Sequence, residues 1–471
     1  MRTECLALLA ALFFFNYTFS QELTLKKGVV IDSISVDDAA KESFSLYLPT
    51  KFKNEGEWPI VLVFETQGKG RQAMAMFREA AEKENYILAS SNNVSDSLSI
   101  SNNVLIAGRM LDKLNTVLPI NKNRIYTGGF SNGGAIANLM PIFYKEIKGV
   151  VSNTSFIENL EFLSVKNPFH FIGIIGKEDY NYPSMLIYEK MFNRLKFPNN
   201  LIVFEEAKEW PDSKHLKKAL HMFTLSAMAK GETLKDSLYA ANGYKKDLKQ
   251  IAQLQQEQKL LLADRLIIET LDIYRAHLNL DSLTEVRKQL RKDKLYRSLK
   301  RNQNNAFLKE ALLKEDYSYY LEEDINTYNY NNLGWWNYQM TELNKFIYGD
   351  SKSEQQMGKR LYNYVNALIE DYEADIRKES ITDDEALILL SMIKTIAAPK
   401  NYKYYLNVIS LSSKYEDYGT ALFYLEEALK NGFKAEDELN TLEDTALLRI
   451  TPEYNKLIQK YLKKARYKVT D

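Results

Sequence analysis

Cysteine is almost absent from this chain of 471 residues; the single one is Cys5. Without a second thiol there is no disulfide framework, and one cysteine near the start supplies neither a zinc ligand set nor a catalytic thiolate. Histidine is scarce as well, at four residues: His170, His215, His221 and His277. That scarcity matters because imidazole is the side chain best matched to general-base work near neutral pH. Net charge is missing too, since 62 Lys and Arg balance 62 Asp and Glu. Overall charge therefore draws the chain neither to nucleic acid nor to an anionic membrane. One locally basic stretch, Lys288 to Arg301, carries Leu295 and Leu299 at helical spacing and reads as a solvated helix face. After residue 20 no apolar run reaches transmembrane length. No cluster of possible ligands has metal-binding spacing, so neither a metal nor an organic cofactor is implied.

What is present begins with a leader-like segment, residues 1–20. Arg2 gives a short positive region, Leu6 to Phe15 an apolar core, and Thr18-Phe19-Ser20 a small-residue cleavage site before Gln21. Cys5 precedes the apolar core, which disfavours lipid attachment there. The expectation is export, to the periplasm or the outer envelope of a bacterium.

Up to about residue 228, short apolar runs alternate with helical stretches. The runs include Ser43 to Leu48, Pro59 to Phe64, Tyr86 to Ser90, Arg124 to Gly128, Ile147 to Ser152, Phe169 to Ile175 and Asn200 to Phe204. Continuous apolar strands separated by amphipathic helices predict a mostly parallel sheet covered on both faces. From about 229 onward the rhythm is helical. Helices are expected over Gln355 to Ile376, Asp383 to Ile396, Asn401 to Tyr415 and Gly419 to Lys430. Ala421 and Ala428 would let the last two approach closely, and Gly432 would end the second. Tyr317 to Tyr338 is rich in aromatics, Trp335 and Trp336 among them. Inter-helix packing accounts for such a stretch more simply than a sugar- or peptide-stacking surface.

The chemistry-bearing motif is Gly129-Phe130-Ser131-Asn132-Gly133, a G-x-S-x-G sequence between a predicted strand and a run of small residues. In a strand–turn–helix elbow the flanking glycines are needed because a Cβ at either would clash. The serine hydroxyl then stands exposed as a nucleophile. Asn132, directly after it, offers one backbone N–H to an oxyanion, and Gln67 in the turn after the strand ending at Phe64 offers a second. Asp179, after the strand ending at Ile175, is the candidate acid, with Glu178 beside it. No histidine lies in the loop after Phe204.

These motifs together resemble the secreted bacterial α/β-hydrolases related to dienelactone-hydrolase-like and polyhydroxybutyrate-depolymerase-like esterases. The resemblance spans about residues 40–228 and includes Gln67-Gly-Lys-Gly-Arg71, Ser90-Ser-Asn-Asn93, the elbow and Gly176 to Tyr182. In that family the stretch after the last of these strands reads Gly-Gly-His-x-Trp-Pro. Glu209-Trp210-Pro211 aligns with its end, which puts Lys208 where the catalytic histidine belongs. Acidic neighbours favour the ammonium form of Lys208, and an ammonium accepts no proton. His215, at the start of the next helix, is the candidate substitute base, while His221 is expected on the buried stripe of that helix.

The expected organisation is a signal peptide (1–20), an α/β-hydrolase domain (21–228), a helical domain (229–400) and a tetratricopeptide-like repeat region (401–471). With Lys208 where the resemblance puts the base, the expectation is a hydrolase fold kept for binding, with the helical half docking a protein partner. The alternative is a serine carboxylesterase acting on a small acyl ester through Ser131. Neither reading involves nucleic acid or a membrane-spanning segment.

Overall fold

The computed structural model describes residues 25–37, 41–67, 70–157, 160–205 and 211–463. The leader-like segment, Gly68, Lys69 and Lys208 lie outside the described residues. Eight strands form a mixed, mostly parallel sheet: β1 Val30–Asp37, β2 Glu42–Tyr47, β3 Trp58–Phe64, β4 Ile87–Ser91, β5 Ile120–Phe130, β6 Ile147–Asn153, β7 His170–Gly176 and β8 Asn199–Phe204. By contacts the chain divides into two compact units. The first is Met1–Ser152, Ile157–His170 and Asp212–Ala227; the second is Asn153–Phe156, Phe171–Pro211 and Met228–Asp471.

In the first unit the strands run in the order β1-β2-β4-β3-β5-β6. Parallel pairing of β3 with β4 and β5 follows from their composition, for Ile60, Val61, Leu62 and Val63 are all fully buried and only a strand covered on both faces is apolar throughout. The other edge is antiparallel, β1 on β2 and β2 on β4. The strand β1 is not legible in the sequence. Its register slips between Ile31 and Ile34, and Ser33 takes a φ of 58°, so the two-residue alternation that marks a half-buried strand is interrupted. Helices α1 (Gly70–Glu84), α2 (Ile100–Val117) and α3 (Ser131–Phe143) connect these strands.

The second unit holds β7, β8, the helix α4 (Tyr182–Arg194) and the helices that follow α5 (Ser213–Lys230). They are α6 (Ser237–Gln256), α7 (Leu260–Tyr274), α8 (Asp281–Lys292), α9 (Lys294–Thr327), α10 (Leu333–Ile347), α11 (Lys352–Lys378), α12 (Asp384–Ala397), α13 (Tyr402–Lys414), α14 (Tyr418–Lys430), α15 (Glu436–Thr441) and α16 (Pro452–Leu462). The basic stretch is two helices rather than one. Asp293 ends α8 and caps α9, its carboxylate accepting from Leu295 N at 2.6 Å and Tyr296 N at 3.2 Å. The aromatic stretch packs helices together. Tyr317 and Trp336 are fully buried against Met357, Leu361 and Val365 of α11, and the Trp336 Nε1–H donates to Asp324 at 2.8 Å. In the α13–α14 pair Ala421 and Ala428 are buried at the contact. Gly432 closes α14 at φ 102°, with Phe433 N bonded to Ala428 O and Gly432 N to Leu429 O, a left-handed helix stop that glycine favours.

Polar groups hold β7 and β8 to these helices. Arg360 of α11 is buried, donates to both carboxylate oxygens of Glu310 on α9 at 2.6–3.1 Å, and gives its remaining arm to Lys177 O at 2.7 Å. Lys314, one turn on from Glu310, donates to Tyr180 O at 2.7 Å, and Arg265 of α7 pairs with Glu189 and reaches Leu201 O at 3.0 Å. A buried ion pair adds little over an apolar replacement, but losing one member strands the other without solvent. Arg360→Leu is accordingly expected to lower the unfolding free energy by about 3 kcal/mol, measured by denaturant titration of the purified chain.

Candidate active site

The buried run Ile125 to Gly129 carries β5 to the head of α3, and Ser131 is the first residue of that helix. Its φ is 48°, the left-handed region that costs a β-carbon-bearing residue on the order of 1–3 kcal/mol. Ten other non-glycine residues among those described adopt it; some, such as Tyr328 and Lys463, end helices, where that conformation is the ordinary stop signal, and others, such as Ser33 and Thr154, lie in or beside strands. Ser131 starts a helix. The turn needs both glycines: a Cβ on Gly129 would sit 2.3 Å from Gly133 O, and a Cβ on Gly133 would sit 2.2 Å from Phe64 O. Thr127 Oγ1 donates to Ala137 O at 2.8 Å and fastens the strand to the helix. The serine side chain is left exposed at the point where β5 turns into α3.

Around Ser131 the loops after β3 and β4 are stitched together. Asn132 Nδ2 donates to Asp96 at 2.9 Å, Asp96 N donates to Thr66 O at 3.0 Å, and Gln67 bridges Ser95. Position 132 thus follows Ser131 with its side chain anchored. The Gln67 backbone N–H, expected as the second oxyanion donor, donates here to the Glu65 carboxylate at 2.9 Å. Glu65 as an occupant of that amide has no signal in the sequence beyond its position two residues earlier.

Asp179 and Glu178 lie in the second unit, in the turn between β7 and α4. Asp179 accepts from Asn181 N at 2.8 Å, the self-capping arrangement of an Asx turn. Burial pushes its carboxyl up from 3.8 to about 6, against the opposing pull of the Asn181 amide and the Lys314 ammonium. Glu178 is paired with Lys359 at 2.8 Å. Lys177, buried in the same turn, is held 2.8 Å from Glu205, which follows β8. Burial lowers the Lys177 ammonium below the usual lysine range, and Glu205 offsets part of that.

The histidines are scattered. His215 is half-buried in the first turn of α5, its N–H bonded to Asp212 O at 2.9 Å. His221 is not in the buried stripe expected for it; half-buried, it sets Nδ1 3.8 Å from a carboxylate oxygen of Glu84. Burying its ring beside Glu84 at the helix margin satisfies a polar tip that an apolar core would not. His170 begins β7 with its ring edge-on to Phe223, and His277 follows α7. Among the described residues no imidazole is hydrogen-bonded to the Ser131 hydroxyl. No group of three or more His, Cys, Asp or Glu among them is arranged to hold a metal ion.

Two outcomes follow from this geometry. Ser131→Gly should stabilise the protein by about 1 kcal/mol, since glycine takes the left-handed conformation without strain, whereas Gly133→Ala should destabilise it by about 3 kcal/mol through overlap with Phe64 O; thermal unfolding reads both. For Asp179, the folded state holds the proton more tightly than the unfolded chain, so the stability tied to the neutral acid is present below pH 3.8 and is lost as pH rises through about 6. Asp179→Asn should therefore raise stability near pH 8 by about 2 kcal/mol and by much less near pH 4, as measured by unfolding at the two pH values.

No family model matches the chain, and no curated protein matches it. Solved structures similar to it cover its N-terminal part. Est1E from Butyrivibrio proteoclasticus is 13% identical, with a TM-score of 0.34, over 42% of this chain and 99% of its own. FphF, a fluorophosphonate-binding serine hydrolase of Staphylococcus aureus, is 12% identical, with a TM-score of 0.35, over 42% and 99%. Dienelactone hydrolase from Anabaena variabilis is 15% identical, with a TM-score of 0.33, over 42% and 97%. The N-terminal part of this chain has an α/β-hydrolase fold, its sheet carrying a glycine-flanked serine elbow, and an all-helical region follows.

Proposed function

We propose that the protein is a serine ester hydrolase of the carboxylesterase type, with Ser131 as the acyl acceptor. One observation carries this reading: Ser131 is held in a strained left-handed conformation at the start of a helix, between two glycines that tolerate no side chain. The strained turn costs folding energy, and it holds a hydroxyl where an incoming ester carbonyl can reach it. The Ser131 oxygen attacks the ester carbonyl carbon, the hydroxyl proton leaves to solvent or to a base, and the carbonyl oxygen becomes an oxyanion. The Asn132 N–H supports that oxyanion, and Gln67 N–H joins it once Glu65 lets go. Expulsion of the alcohol leaves an acyl-serine, which water hydrolyses. With lysine at position 208 in place of the family's histidine, turnover is slow and rises with pH.

A second reading, a hydrolase fold kept for binding alone, is favoured by the Glu65 carboxylate on the Gln67 amide, an anion on a group that would otherwise meet the developing negative charge. The leader-like first twenty residues support placing either activity outside the cytoplasm. A fluorophosphonate probe separates the two. If Ser131 is the acyl acceptor, the purified protein is labelled and Ser131→Ala abolishes the label. Failure of the wild type to label, with labelling gained by Lys208→His, would sink the esterase reading and leave the binding one.

A further inference from the structure

Within the second unit a cavity of about 910 Å³ opens where the start of α12, the end of α13 and the start of α14 meet. Its volume is at the upper end of what ligand pockets offer. Its floor is apolar, with Leu333, Ile388 and Met392, and its side is aromatic, with Tyr415 and Phe423. Those two rings are 59% and 58% exposed, far more than inter-helix packing leaves open. Its rim is acidic, with Asp383, Asp384, Glu385 and Asp417.

Local structure accounts for part of that acidity. Asp383 and Asp417 cap α12 and α14, accepting from Ala386 N and Thr420 N at 3.0 Å each, as acids at helix starts do. Asp384 is bonded to Lys414 at 2.6 Å and to the Tyr415 hydroxyl at 2.9 Å, and these bonds keep its carboxyl below the ordinary range. Glu385 is exposed and makes no ion pair among the described residues. The Tyr328 hydroxyl donates to Asp383 at 2.7 Å, and Arg377 adds a second positive charge acting on Asp384, so four carboxylates face two cations over an apolar floor.

We propose that this cavity binds an extended segment of a partner protein in which lysine or arginine alternates with apolar residues. Apolar side chains of the segment fill the floor, a cation meets Glu385, and a guanidinium lies over Phe423, the Tyr415 ring being already covered by Lys414. Charge complementarity selects this occupant. A neutral acyl chain would desolvate the rim carboxylates without compensation, and a nucleic acid would be repelled by them. The site is independent of Ser131.

The test is fluorescence anisotropy of a fluorescein-labelled decapeptide alternating lysine with leucine, titrated with the full chain. The wild type should bind it and ignore a glutamate–leucine counterpart. Glu385→Lys and Phe423→Ala should each weaken binding about tenfold, while Asp375→Lys, a charge reversal at an exposed position elsewhere in α11, and Ser131→Ala should change nothing. Two results would overturn the proposal: equal weakening by Asp375→Lys and Glu385→Lys, which means unspecific charge attraction, or binding that emerges only when residues 464–471 are removed. In the second case the chain's own basic end, with Lys464, Arg466 and Lys468, is the occupant instead.

Discussion

The carbonyl oxygen of Phe64 leaves no space for a side chain at position 133, and the local geometry around Ser131 follows from that closeness. A Cβ there would approach it to 2.2 Å, so β3 and α3 touch backbone to backbone. That contact forces the chain to turn within two residues after β5, and the turn puts Ser131 at a φ of 48°. Close approach, strain and an exposed hydroxyl are one constraint seen at three positions. The strain cannot be relaxed locally, because Gly129 is pressed equally hard against Gly133 O.

The elbow was legible in the sequence because its physics is local: two glycines at fixed offsets and a serine between them. Strands β2 to β8 were legible for a similar reason, each being an apolar run bounded by helical rhythm. The register-slipped β1 was hidden by Ser33, whose left-handed backbone breaks the alternation. Helices α11 to α14 were found within a few residues of their observed ends, since apolar spacing and caps such as Asp383 and Asp417 are written in neighbouring positions. The break at Asp293 was missed because leucine spacing continues across it while the aspartate stops one helix and caps the next.

Pairings between residues far apart in the chain were not legible. Arg360 meets Glu310 fifty positions away and Lys177 O a further 133 positions back, and nothing in composition joins them. The same holds for the electrostatics of the Asp179 turn. The sequence places a carboxylate after β7, but the rise of its pKa to about 6 depends on the helices that bury it. The engagement of Gln67 N–H by Glu65 turns on a side-chain rotamer, which spacing does not encode.

The hydrogen bonds from Arg360 to Lys177 O, from Lys314 to Tyr180 O and from Arg265 to Leu201 O bear on where the molecule can be divided. A cut near residue 228 appears natural from the change of sequence rhythm there. It would remove every one of those donors, bare the carbonyls they serve and strip the outer cover from β8. The shorter fragment would carry an open strand edge, the kind that recruits other chains, so the residues before 228 depend on the helices after them for solubility.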